Sequence, residues 1–177
     1  MHARFSQFTD KFTALIDTGA EEAEILSVGG KYLADLVAKD DWLDEACAKT
    51  HPEYYQQYLL FLDPQARFSV VSFVWGPGQE TPVHNHTVWG LLGQLRGCEI
   101  STNYDDDLNV LGEDILNPGD VEAVSPSIGD IHKVRNGHDG TSISIHVYGA
   151  NIGKIERSVF YPDTGKHKDF ISGYSNV

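Results

Sequence analysis

Apolar residues change their spacing once along this chain, near residue 50. Before that point they recur every three or four positions. Phe5, Phe8, Phe12, Leu15 and Ile16 lie on one helical face, with Thr9 or Asp10 near a helix start and Gly19 at its end. A second helix is expected from about Glu21 to Lys39, where Ile25, Leu26, Tyr32, Leu33, Leu36 and Val37 form a broad apolar side that the Gly29-Gly30 pair weakens. A third, short helix is expected around Asp41 to Lys49, ending before His51-Pro52. Beyond it the texture turns to β. Arg67 to Trp75 is rich in β-branched and aromatic residues and runs into the turn signal Gly76-Pro77-Gly78. Similar runs recur at Val88 to Leu95, Glu99 to Tyr104, Val121 to Val124, Ile131 to Val134 and Ser142 to Tyr148, and Ser158-Val159-Phe160 reads as a further strand. Short strands separated by Gly, Pro, Asn and Asp clusters predict an antiparallel sandwich or barrel. One domain is expected, with N-terminal helices over 1–50 and a β-barrel over 51–177.

Two polar rows break the apolar pattern. Side chains alternate along a strand, so His84 and His86 share one face, and Ser144, His146 and Tyr148 share another. A half-buried strand would place Val, Ile or Leu there; buried imidazoles and phenols require metal or hydrogen-bond partners. With His132 from a neighbouring strand, the pair supplies three imidazoles that can meet a divalent metal at about 2.1 Å each. His138 falls in the Asn136-Gly137 turn, and His2, His51 and His167 have no organised neighbours. The run Asp105-Asp106-Asp107 reads as a solvated hairpin turn, since the spaced ligands and Gly of a calcium loop are missing.

Charge narrows the partners. Acidic residues outnumber basic ones 26 to 13, a formal charge of −13 that repels nucleic acid and anionic lipid. A small anionic substrate is compatible with this, because one buried Arg outweighs distant, screened surface charge. No apolar run approaches the roughly eighteen residues of a membrane span, and the N-terminal stretch lacks the apolar core of a signal peptide. Cys47 and Cys98 stand far apart without CxxC spacing and read as ordinary thiols of a reducing compartment, so a cytoplasmic protein is expected.

The spacing Gly78-x5-His84-x-His86-x3-Gly90-x6-Gly97, followed by Gly119-x6-Pro126-x2-Gly129-x2-His132-x3-Asn136, resembles the two boxes of the cupin superfamily. That resemblance implies a double-stranded β-helix, a jelly-roll barrel. One departure is informative: most metal cupins carry a Glu where this chain has Gly90. Three neutral ligands would leave the metal its full charge until an anion such as a thiolate arrives. With the row Ser144-x-His146-x-Tyr148, the site resembles the cysteine dioxygenase family of thiol dioxygenases over about residues 52–162. The segments Tyr54 to Leu60 and His146 to Asn151 are similar to its bacterial, mercaptopropionate-type branch.

The resemblance implies Fe(II) held by His84, His86 and His132, with a small thiol bearing a carboxylate and O2 as reactants. It implies that Tyr148 donates a hydrogen bond toward them, that His146 orients Tyr148, and that Ser144 orients His146. It places a Gln in the substrate site, where Gln56 is preferred to Gln57 by its spacing from His84, and an Arg eleven residues after His146, which is Arg157. Arg157 could fork onto a carboxylate or hold Tyr148 and a loop in place. Mammalian-type members carry a Cys that crosslinks to the active-site Tyr. Gly90 lies nearest that position, so an unmodified Tyr148 is expected. Trp89 and Phe73 are candidate walls of the pocket.

Overall fold

A computed structural model describes residues 2–177. Helix α1 (Ala3–Asp17) begins earlier than expected: the His2 ring accepts the Arg4 amide as N-cap, which leaves Thr9 and Asp10 in mid-helix, and Gly19 follows with φ 75°. Helix α2 (Glu22–Glu24) passes through a π turn (Ile25–Gly29) into α3 (Gly30–Val37), so the Gly29-Gly30 pair widens the helix without ending it. The third expected helix shrinks to a 3-10 turn at Glu45–Cys47, capped by Asp44. Trp42 is anchored instead, its ring stacked on Phe5 at 5.1 Å and its indole N–H donating to the Leu36 carbonyl at 3.1 Å.

Among the described residues eleven strands follow in two antiparallel sheets. They are β1 (Gln56–Leu62), β2 (Ser69–Trp75), β3 (Val83–His84), β4 (Gly90–Arg96), β5 (Glu99–Tyr104), β6 (Val110–Leu116), β7 (Val121–Val124), β8 (Ile131–Asn136), β9 (Ser142–Tyr148), β10 (Arg157–Tyr161) and β11 (Lys166–Phe170). One sheet runs β1-β2-β9-β4-β7 and the other β11-β10-β3-β8-β5-β6. The expected runs at Glu99, Val121 and Ser142 coincide with β5, β7 and β9. Asp105 accepts the Asp107 and Asn109 amides, closing the β5–β6 turn as a solvated hairpin.

The five-stranded sheet is buried on both faces, which explains why β2 and β9 carry no exposed residue. Its outer side, including Val70, Val74, Leu91, Ile143, Ile145 and Val147, packs with Phe8, Phe12, Leu33 and Leu36 of the helices in one apolar cluster. A side-chain carbon at Gly93 would come within 2.8 Å of Leu33, so the missing side chain lets α3 approach β4. The alternate positions of the same strands, among them Phe73, Trp75, His146 and Tyr148, face the second sheet and line the barrel interior. The free edge of β1 is covered by the C-terminal segment, where Asn176 exchanges hydrogen bonds with the Leu59 backbone and Ser175 with that of Gln57. Among the described residues no helix is long and apolar enough to cross a membrane.

Candidate metal centre and adjoining cavity

Antiparallel pairing sets His84 of β3 directly opposite His132 of β8. His86 lies just past the end of β3, outside the strand, and is turned inward by Asp130: one carboxyl oxygen accepts its backbone N–H and ring Nδ1–H, both at 3.0 Å, and the other accepts the Thr87 amide at 2.9 Å. The three rings then stand 4.8–4.9 Å apart, and all are buried. A nitrogen from each lies within 4.8 Å of the others.

Hydrogen bonds decide which nitrogens these are. His84 Nδ1 faces the Pro82 carbonyl at 3.0 Å, an oxygen that can only accept, so the proton sits on Nδ1. His86 Nδ1 is committed in the same way to Asp130. His132 Nδ1 meets Ser101 Oγ at 3.1 Å, while that hydroxyl donates to Glu122 at 3.2 Å. Each Nδ1 is thereby engaged and each Nε2 is left with its lone pair; His86 Nε2 is fully buried with no protein partner. Burial first, and the neighbouring imidazoles after it, push His84 and His132 well below the ordinary histidine range. A cluster of inward-facing nitrogens without protein partners fits a divalent metal ion, and no carboxylate belongs to the group.

The reason for the missing carboxylate is steric. Gly90 of β4 lies opposite Tyr148 of β9 on the inner face. A side-chain carbon at residue 90 would lie 2.9 Å from two Tyr148 ring carbons and 3.0 Å from Val124. The Tyr148 ring, stacked on His86 at 5.5 Å between centroids, occupies the space into which a longer side chain would extend. Cys47 and Cys98 form no disulfide, and residue 90, a glycine, offers Tyr148 no side chain.

The second polar row is continuous. Ser144 Oγ lies 2.8 Å from His146 Nε2, and His146 Nδ1 lies 2.8 Å from the Tyr148 hydroxyl. Phe73, directly across β2 from Ser144, stacks on His146 at 4.2 Å between centroids and fixes its plane. Burial lowers His146 far below the usual imidazole range and raises the Tyr148 phenol far above its own.

Both rows open onto one cavity of about 150 Å³, whose lining includes Tyr55, Gln57, Phe73, Trp75, His84, His132, His146, Tyr148, Arg157 and Ser172. Arg157 begins β10 and is only 5% exposed, so it is no surface charge. Its Nη2 donates to Ser172 at 2.7 Å and its guanidinium lies 4.8 Å over the Phe170 ring; its Nε is buried without a partner, and no carboxylate of the described residues pairs with it. Burial depresses its pKa, so it is a cation kept in a partly apolar site without its counter-ion.

Two expected residues face elsewhere. Gln56 pairs with Val74 and so shares the outer face; Gln57 pairs with Phe73, lines the cavity, and donates its amide to the Gly173 carbonyl at 3.0 Å. Trp89 packs 6.1 Å from Phe12 on the helix side, leaving Phe73 as the wall. Residues that the sequence did not single out complete the site: Asp130 and Ser101 behind the imidazoles, Tyr55 tilted against Trp75 at 4.6 Å between centroids, and Glu99, whose buried carboxyl lies beside Ser144. Asp130 and Tyr55 belong to no local periodic pattern, whereas Glu99 and Ser101 alternate on the buried face of β5 in a strand polar on both faces, where alternation does not stand out.

No protein-family model matches this chain. Among solved structures, it is similar to an uncharacterized conserved protein with a double-stranded β-helix domain from Klebsiella pneumoniae, with 15% identity over 74% of this chain and 97% of that one and a TM-score of 0.51. It is also similar to the TT1209 protein from Thermus thermophilus, with 21% identity over 60% and 92% of the two chains and a TM-score of 0.50. A Cupin 2 conserved barrel domain protein from Salinispora arenicola matches at 22% identity over 62% and 86%, with a TM-score of 0.46. At such identities the likeness shows the fold alone, the mainly β double-stranded β-helix of the cupins with an N-terminal helix added.

Proposed function

We propose that this metal-binding cupin is a thiol dioxygenase of the cysteine dioxygenase type, converting a small thiol with a carboxylate, 3-mercaptopropionate or cysteine, and O2 into the sulfinic acid. One observation carries the reading: a single cavity is lined by His84 and His132 of the three-imidazole cluster, by a tyrosine whose ring takes the space beside residue 90, and by a buried arginine lacking an acidic partner. A neutral donor set leaves a divalent ion its whole charge and so favours an anionic sulfur as the next ligand. The reaction balances without a co-substrate: sulfur gives up four electrons, O2 takes all four, and both oxygen atoms end on sulfur.

Fe(II) held by His84, His86 and His132 would supply the redox chemistry that lets O2 react with a thiolate. The chain's other residues bind and orient. Arg157 receives the carboxylate of the thiol, gaining the counter-ion it lacks. Tyr148 keeps its proton because burial disfavours the phenolate, so it acts as a hydrogen-bond donor into the cavity rather than as a base. His146 and Ser144 hold its hydroxyl in place, and Tyr55, Phe73 and Trp75 restrict water.

Oxygen uptake by iron-loaded protein with 3-mercaptopropionate, cysteine and cysteamine tests the proposal. Sulfinic acid should form in step with O2 consumed, and cysteamine, which has no carboxylate for Arg157, should be the poorest of the three. Iron retention without oxidation of any thiol would reduce the protein to a non-catalytic metal-binding barrel.

A further inference from the structure

The row Ser144–His146–Tyr148 is a chain of groups that can each donate and accept, so its geometry permits two directions. For Tyr148 to donate into the cavity, it must accept from His146 Nδ1–H; Nε2 must then accept the Ser144 hydroxyl proton. Ser144 has one proton. Having given it to His146, its oxygen can only accept from a further donor. In the reverse direction Ser144 accepts from Nε2–H, and Tyr148 gives its proton to Nδ1 and none to the cavity.

Glu99 stands at the Ser144 end. It opens β5, opposite Leu116 of β6 and Asn136 of β8, and its side chain is buried beside Ser144, Ser142 and Trp75. The Ser142 hydroxyl is directed at the Arg96 carbonyl at 3.1 Å, so it is not the donor to Ser144. Trp75 Nε1 can only donate; like Glu99 Oε1 it is buried and has no closed hydrogen bond. The buried carboxyl thus has Ser144 and the Trp75 indole among its neighbours, and one of its oxygens has no closed hydrogen bond.

We propose that Glu99 is the positioning residue that sets the direction of this row: as a neutral acid it donates to Ser144 and points the Tyr148 hydroxyl into the cavity, and as an anion it accepts from Ser144 and turns the row around. The surroundings favour the acid form. Burial, and then the Glu122 carboxyl on β7, push Glu99 up to about 8 against the pull of the Ser144 and Trp75 donors. The Cys98 thiol and the Tyr148 phenol, both neutral acids, also lie near it, and among the described residues no Lys, Arg or His forms an ion pair with it.

The direction of the row can be read without metal or turnover. In protein labelled with 15N at histidine, His146 should carry its proton on Nδ1 below pH 8 and on Nε2 above it, and the 13C-labelled Glu99 carboxyl should titrate with the same midpoint. In Glu99→Gln the amide oxygen takes the Trp75 proton and the NH2 donates to Ser144, so Nδ1–H should persist on both sides of that pH. A tautomer independent of pH in the wild type, a carboxyl midpoint separate from that of His146, or a switch that survives in Glu99→Gln overturns the proposal; the wild-type titration decides alone if the variant does not fold. The link to turnover rests on the thiol dioxygenase reading: activity should fall above pH 8 in the wild type and hold in Glu99→Gln. A tautomer switch in a protein without thiol dioxygenase activity would defeat that reading and leave the role of Glu99 standing.

Discussion

At the scale of single residues, the proposed reading gives the two polar rows separate work, holding a metal and aiming a proton. Replacing His84 or His132 by Ala removes one of three ligands and should abolish iron retention, measured as iron per protein after gel filtration; a variant with stoichiometric iron would remove these residues from the centre. Tyr148→Phe keeps the ring that packs on Gly90 and loses only the hydroxyl, so it should retain iron while slowing turnover about 10²-fold or more, or consuming O2 without matching sulfinic acid. Full coupling at the wild-type rate would make Tyr148 structural. These residues were legible in the sequence because period-2 polar positions inside apolar strands announce themselves. Gln57 was not: its side of β1 depends on pairing with Phe73 across β2, which the local sequence does not encode. Asp130, Ser101 and Glu99 were hidden for the same reason, each reaching its partner from a distant strand or loop.

Elements impose the next constraint. Strand β9 is held between layers, with Ile143, Ile145 and Val147 under the helices and Ser144, His146 and Tyr148 on the cavity side, so packing of α3 on one face fixes the placement of chemistry on the other. Gly93→Ala would push on Leu33 and Val37 across that interface and should lower stability by about 1–3 kcal/mol. Denaturant unfolding measures it, and an unchanged midpoint would show that α3 can withdraw without cost. Strands with strong β composition could be read from sequence, with Ser142–Tyr148 recovered to the residue. The two-residue strand carrying His84 and the exposed, polar β11 give no such signal, because pairing partners rather than propensity make them strands. The segment at Asp41 to Lys49 failed as a helix because Asp44 caps only a single 3-10 turn and Trp42 is drawn into the core beside Phe5.

For the whole molecule, burying titratable groups inside the barrel ties stability to pH. Glu99 ionises near 4.5 when unfolded and only near 8 when folded, so between those values unfolding releases a proton. Its contribution is therefore fully present below pH 4.5 and declines as pH rises to 8, by about 1.4 kcal/mol per pH unit. Glu99→Gln should flatten that part of the dependence in thermal melts of metal-free protein, and parallel curves for the two proteins would contradict the burial. The barrel architecture was legible from turn spacing and the cupin-like glycines, whereas the covering of β1 by the C-terminal segment was not, since it rests on isolated hydrogen bonds from Ser175 and Asn176. The crowding of Gly90 against Tyr148 has a consequence for how such barrels diverge. In this barrel the Tyr148 ring and a side chain at residue 90 compete for one space, so placing a carboxylate at residue 90 requires a second, coordinated substitution at residue 148. A lineage that makes the first alone carries either a collision or a hole, and the two chemistries are therefore separated by a step that gradual drift does not readily cross.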